Sequence, residues 1–218
     1  MNLDDLLGWL RSGRPVTSRT DFTVGTAMPD GRLDLCKQAI GPYGMRLVAD
    51  ALPAGGPARH LLLGTDGLGD DGAGTAAAGA VRAQAPTLYL GCNAITAAGA
   101  CRIADRLTAS PGIVRGLWLK RNPLGPAGGR TAARLAATLS GAPHRLTHLD
   151  LRHTGLTSRG ALRLLAAARQ ALSPTRYVLG PGIASRAKRE LNALAAPLPP
   201  LRPHPSVAAV RSVHRTAH

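Results

Sequence analysis

Aromatic side chains are nearly missing from this sequence. Phe, Trp and Tyr together make up 3% of its 218 residues, so Leu, Ala, Val and Ile must fill the interior. Such residues suit thin repeated layers better than one thick centre. Acids are scarce as well: 12 Asp and Glu face 27 Lys and Arg, nearly all Arg, for a net charge of +15. That balance favours polyanions, acidic proteins or anionic surfaces as partners and says nothing of fold. Cysteine is limited to Cys36, Cys92 and Cys101, an odd number with no metal spacing. They read as free thiols in a reducing compartment. No apolar run reaches the roughly 18 residues that suggest a membrane helix. The opening MNLDDLLGWL has two acids and neither a basic start nor an apolar core of signal length. A cytoplasmic location is the expectation. The Ala, Arg, Gly, Pro and Leu bias fits a GC-rich bacterial genome, and the length fits one domain with a tail.

What is abundant is glycine after apolar runs. Gly67-Leu-Gly69-Asp-Asp-Gly72 spells GxGxxG between a strand-like and a helix-like stretch, where a dinucleotide loop would sit. The same frame recurs without that motif. LDLCKQAIGPYG (33–44) aligns with LLLGTDGLGDDG (61–72), LYLGCNAITAAG (88–99), LWLKRNPLGPAG (117–128) and LDLRHTGLTSRG (149–160). The shared frame is L-x-L-x-x-(N/polar)-x-(I/L)-x-x-x-G, and each copy precedes an amphipathic stretch of helical period. Gly72 is thus one of five frame-end glycines, with Gly44, Gly99, Gly128 and Gly160. Gly67 and Gly69 fill variable turn positions, held elsewhere by Ala39, Gly41, Ala94 and Thr96. The acidic residue a nucleotide fingerprint wants about 20 residues on is replaced by GCNAI. No cofactor is expected. The cluster Asp66, Asp70, Asp71 lacks the spacing and bidentate Glu of an EF-hand, so it reads as a solvated turn and no metal is expected.

On these five frames the chain resembles the leucine-rich repeat family, in its ribonuclease-inhibitor-like class. Residues Ala49, Leu52, Ile103, Ala104, Leu107, Leu135, Leu139, Leu164 and Leu165 match the class's helical half. The resemblance implies an α/β solenoid, a curved horseshoe with a parallel β-sheet on the concave face and helices on the convex face. Asn93 and Asn122 keep the family's turn asparagine; Gln38, Asp66 and Thr154 replace it and imply looser turns. A shortened sixth copy, Tyr177–Leu194, reads as the closing unit. The expected organisation is a capping helix and linker over 1–31, repeats over 32–196, and a Pro/Arg/His-rich tail over 197–218. The helix has Asn2 as cap, Leu3, Leu6, Leu7 and Leu10 as its apolar face and Gly13 past its end, with a half-formed strand near Phe22–Val24. In the tail, Pro197-Leu-Pro-Pro-Leu-Arg202 fits a Pro-rich groove ligand, but reads as an ordinary exit.

The period of two lists the strand residues that face away from the helices. Their middle column is Asp34, Leu62, Tyr89, Trp118, Asp150 and Val178. Leu62, Tyr89 and Trp118 form an exposed apolar stripe bordered by Lys120, Arg121 and Arg152, and Tyr, Trp and Arg dominate interface energetics. The candidate partner-binding residues are therefore Tyr89, Trp118, Leu62, Lys120, Asp150, Arg152 and His148. No catalytic set emerges. His60 and His148 fall four strands apart by the repeat count, and Cys36 beside Asp34 and Arg32 only weakly suggests an activated thiol. The expectation is a non-enzymatic protein-binding module with an acidic partner; a basic ribonuclease as partner would be opposed by the net charge. The alternative is a nucleic-acid-associated protein that binds phosphates through Arg102, Arg106, Arg130, Arg134, Arg159, Arg163 and the tail. Oligomeric state is left open.

Overall fold

The computed structural model describes residues 2–125, 130–131 and 146–199. The expectations for Arg134, Leu135, Leu139, Gly128 and residues 200–218 lie outside them. The described residues form an α/β fold with six helices and one eight-stranded sheet. In chain order the elements are α1 (Asp4–Ser12), β1 (Thr20–Asp21), β2 (Thr26–Ala27), β3 (Arg32–Asp34), α2 (Gly41–Ala51), β4 (His60–Leu62) and α3 (Gly69–Arg82). There follow β5 (Thr87–Tyr89), α4 (Ala97–Ala109), β6 (Gly116–Trp118), β7 (His148–Leu151), α5 (Ser158–Gln170), β8 (Arg176–Leu179) and α6 (Ser185–Leu194). The strands lie in the sheet in their order along the chain; β1, β2 and β3 pair antiparallel, and β3 to β8 pair parallel. Among the described residues no helix is long and apolar enough to cross a membrane.

The leading leucines of the five frames sit side by side: Leu33 opposite Leu61, then Leu88, Leu117 and Leu149. They and the second leucines Leu35, Leu63, Leu90, Leu119 and Leu151 are buried in one continuous core with the helices. Tyr177 takes the leucine's place in β8, opposite Leu149. The apolar residues before α2, α3 and α4, Ile40, Leu68 and Ile95, are buried, as is Leu124 at the same frame position. The helix-start glycines leave room for a neighbour. A Cβ on Gly99 would lie 2.3 Å from Asp70 Oδ1, the carboxylate that accepts from Thr96 N–H and hydroxyl.

The turn after each strand is the same turn. Its fifth frame residue, Lys37, Thr65, Cys92, Arg121 or His153, has φ of 63°, 62°, 60°, 58° and 55° in that order. In four frames the next side chain, Asp66, Asn93, Asn122 or Thr154, turns inward to burial, while in the first frame Gln38 stays exposed. In β8 the corresponding residue is Pro181, whose ring forbids positive φ, and the frame there is the shortened one. Gly67 (φ 66°) repeats the conformation of Ala39 (53°) and Ala94 (56°), so the glycine-rich motif builds an ordinary member of this series. Asp70 and Asp71 in the first turn of α3 put the wrong charge where a phosphate would bind. A β-branched residue is the least suited to a left-handed position. Thr65→Asn is expected to raise stability by about 1 kcal/mol, since Asn visits this region more readily, read as a higher urea midpoint with an unchanged slope.

Three expectations need correction. The helix α1 starts at Asp4, one residue later than a cap at Asn2 implies, although Asn2 Oδ1 still accepts from Asp4 N–H at 2.9 Å. Its apolar face and the left-handed Gly13 are as expected. Phe22–Val24 is the turn of a hairpin, not a strand. Asp5 Oδ2 holds it by accepting from Thr23 N–H at 2.7 Å, and Gly25 (φ 88°) ends it where a Cβ would lie 2.3 Å from Leu35 Cδ2. Finally, the acids near Gly67 are no solvated cluster: Asp66 is fully buried, Asp70 is engaged by Thr96 and only Asp71 is exposed.

Candidate binding face of the sheet

Alternation along the strands sends every second side chain away from the helices. The register aligns these residues across six strands. Asp34, Leu62, Tyr89, Trp118, Asp150 and Val178 form one row, and Arg32, His60, Thr87, Gly116, His148 and Arg176 another. Leu62, Tyr89 and Trp118 make an apolar cluster of their own, with Cys36 against it, separate from the main core. All seven candidate residues stand on this side of the sheet.

The cluster is not the exposed stripe that the alternation suggests. Leu62 is 0%, Tyr89 5% and Trp118 7% exposed. Both rings lie along the sheet over glycines. A Cβ on Gly64 would fall 2.4 Å from Tyr89 Cε1, and one on Gly91 2.9 Å from Tyr89 Oη. A Cβ on Gly116 would fall 2.6 Å from Trp118 Cζ3. Tyr89 therefore leans toward the C-terminal end of its strand and Trp118 toward the N-terminal end of its own. His148, in register with Gly116, packs on the indole with ring centroids 4.6 Å apart. Lys120 Nζ sits 5.3 Å from the Tyr89 ring centroid, a cation–π contact. Alternation gives the face and the order of these side chains. It does not give their tilt, which depends on the empty volume above glycine. The signals for that tilt are the spacings Tyr89-x-Gly91 and Gly116-x-Trp118, with Gly64 on the neighbouring strand.

The charged residues of the face are organised. Arg152 forks onto the fully buried Asp150, with Nε 3.0 and 3.1 Å from its two oxygens and Nη2 2.6 Å from Oδ2. Asp150 Oδ1 also accepts from the Arg152 N–H, as Asp34 Oδ1 does from Cys36 N–H two residues on. Arg32 is paired with Asp30. Arg176 Nη2 donates to the carbonyls of Leu198 and Pro199. His60 Nδ1 lies 2.8 Å from Thr87 Oγ1. His60 and His148 stand on β4 and β7, three strand steps apart rather than four, or about 14 Å at ordinary strand spacing. They remain too far apart to share a proton.

The thiol and phenol of the face are held in their neutral forms. Burial, then the Asp34 carboxylate, pushes the Cys36 thiol well above its ordinary range, while its Sγ accepts from Gly64 N–H at 3.2 Å. That is the reverse of an activated nucleophile. Burial likewise pushes the Tyr89 phenol up. The arrangement is a buried aromatic row, a desolvated ion pair and cations at its border. No group of three metal-ligating side chains is gathered among the described residues. No protein-family model matches the chain, and no curated protein matches it in sequence.

Proposed function

We propose that the chain is a leucine-rich repeat solenoid of the ribonuclease-inhibitor-like class that binds an acidic partner protein on the strand face. The observation that carries this reading is the row Leu62–Tyr89–Trp118, gathered in register on the face turned away from the helical core. Helices are wider than strands, so a stack of strand–helix units curves toward its strands and makes that face concave. The shared left-handed turn and the aligned leucines support equivalent units. Lys120, Arg121 and Arg176 give the face its positive border, the Arg152 charge being balanced by Asp150, and that border selects an acidic partner and speeds its approach. The role is non-enzymatic, and three free thiols suit the cytoplasm.

The test is capture from the native host with wild type, Tyr89→Ala/Trp118→Ala and Lys120→Glu/Arg121→Glu, each checked for an unchanged far-ultraviolet spectrum. The charge variant keeps both buried rings and so guards against lost folding. Partners retained by wild type are expected to be lost by both variants and to elute with salt. An unchanged set of captured proteins would falsify the strand face as the binding surface.

A further inference from the structure

The excess positive charge is not spread evenly over the helices. Together α2, α3 and α4 carry four arginines against four aspartates, a net charge of zero. The adjacent pair α5 and α6 carries Arg159, Arg163, Arg169, Arg186, Lys188 and Arg189 against the single acid Glu190, a net +5. Codon bias toward arginine would not sort acids away from one pair of helices. Glu190 is shared by Arg169 on α5 and Arg186 on α6, which ties the two helices together. Arg159, Arg163 and Arg189 are exposed and make no ion pair among the described residues.

We infer that the outer surface of α5 and α6 is a second binding site, for the phosphate backbone of duplex nucleic acid. Arg159 and Arg163 are one helical turn apart, about 6 Å along the axis, so both guanidiniums point from one side of α5 and can grip neighbouring phosphates. Arginine suits this better than lysine because its planar fork donates two parallel hydrogen bonds to one phosphate. The two helices carry no aromatic residue on which an unpaired base could stack, which selects duplex over single strands. Leu162 is exposed among the arginines, while the other exposed leucines, Leu172 and Leu194, stand at or just past the C-terminal ends of the two helices, so scattered apolar side chains rather than one patch accompany the charge. The site is independent of the strand face, so each can fail without the other.

The experiment is fluorescence anisotropy of a short labelled DNA duplex against the full chain, over a series of salt concentrations. Two triple variants with the same change in net charge are compared: Arg159→Glu/Arg163→Glu/Arg189→Glu on this surface, and Arg11→Glu/Arg46→Glu/Arg82→Glu on α1 to α3. All six side chains are exposed, so both variants should keep the wild-type spectrum. Wild type is expected to bind at low salt. The first variant should bind at least about tenfold more weakly, with a log–log salt slope shallower by about 2 to 3. The second should stay close to wild type. The inference is overturned by no binding at low salt or by equal loss in both variants. It is also overturned if polyglutamate displaces the duplex at equal charge concentration, or if anionic vesicles bind with the same dependence on the three arginines; the surface then serves an acidic protein or a membrane.

Discussion

Asp66→Asn should make the protein markedly more stable above neutral pH and leave it almost unchanged at and below about pH 4. Asp66 is fully buried, at the position where the next two frames have Asn93 and Asn122. Its Oδ1 accepts from Gln38 N–H at 2.9 Å, and Oδ2 has no partner. Burial raises its carboxyl, with a smaller push from Asp34, against hydrogen bonds from the Gln38, Ala39 and Ile40 amides; the result is a value of about 7, from an ordinary 3.8. A raised carboxyl favours folding only while it is protonated. Its contribution is complete below about pH 4 and is lost as pH climbs toward about 7. Three units at about 1.4 kcal/mol each put the loss on the order of 4 kcal/mol. An amide keeps the acceptor, supplies donors for the carbonyls that Asn93 serves in its own frame, and does not ionise.

Wild-type denaturation midpoints should therefore fall between about pH 4 and about pH 7, while those of the Asn variant stay level. On the acid side both proteins should weaken together. Asp5, held down by the Thr23 amide, Asp21, by the Thr26 hydroxyl, and Glu190, by Arg186, lose their contributions as pH falls through their lowered values. Parallel pH profiles for wild type and variant above pH 5 would show that Asp66 is not the group responsible.

How much of this was legible differs from feature to feature, for physical reasons. The rows across the sheet follow from a period of two and aligned leucines, so Tyr89 beside Trp118 needs no coordinates. The frame also aligns positions 38, 66, 93, 122 and 154, but its hydrophobic flanks do not decide which way that side chain turns: Gln38 is exposed and the other four are buried. Two matters depend on volume and field instead. The tilt of Tyr89 and Trp118 over glycine is decided by the absence of a Cβ on a neighbouring strand or two residues away, which hydropathy patterns do not encode. The state of Asp66 is decided by what covers it: in the string GTDGLGDDG it looks like one acid among three, and only packing against Asn93 and the Gln38 turn separates it from the exposed Asp71. The hairpin β1–β2 was missed because two-residue strands are too short to show alternation.

The largest loss is expected from Asn122→Ala. Asn122 is fully buried and bonds with four backbone groups. Oδ1 accepts from Asn93 N–H at 2.8 Å and Ile95 N–H at 3.1 Å; Nδ2 donates to the Leu90 carbonyl at 2.8 Å and the Leu119 carbonyl at 3.0 Å. Asn93 repeats the pattern one frame earlier, accepting from the Asp66 and Leu68 amides and donating to the Leu63 carbonyl. Each asparagine thus joins its own turn to the turn before. Alanine leaves two buried N–H groups without an acceptor, at about 1–3 kcal/mol apiece. A loss of about 3–5 kcal/mol follows, a large part of the 5–15 kcal/mol typical of whole domains. Asn122→Asp separates the two causes. It keeps the acceptor, removes the donor and adds a buried charge, so it should resemble Asp66 and lose most of its stability only as pH rises. The alanine variant should lie below wild type by the same amount at every pH, since both keep Asp66. Urea denaturation of both variants at acid and at alkaline pH reads the difference, and hydrogen exchange at the Asn93 and Ile95 amides localises it. An alanine variant within about 1 kcal/mol of wild type, inside the usual range for one ordinary hydrogen bond, would mean that the turns are held by their leucines and not by the buried amides.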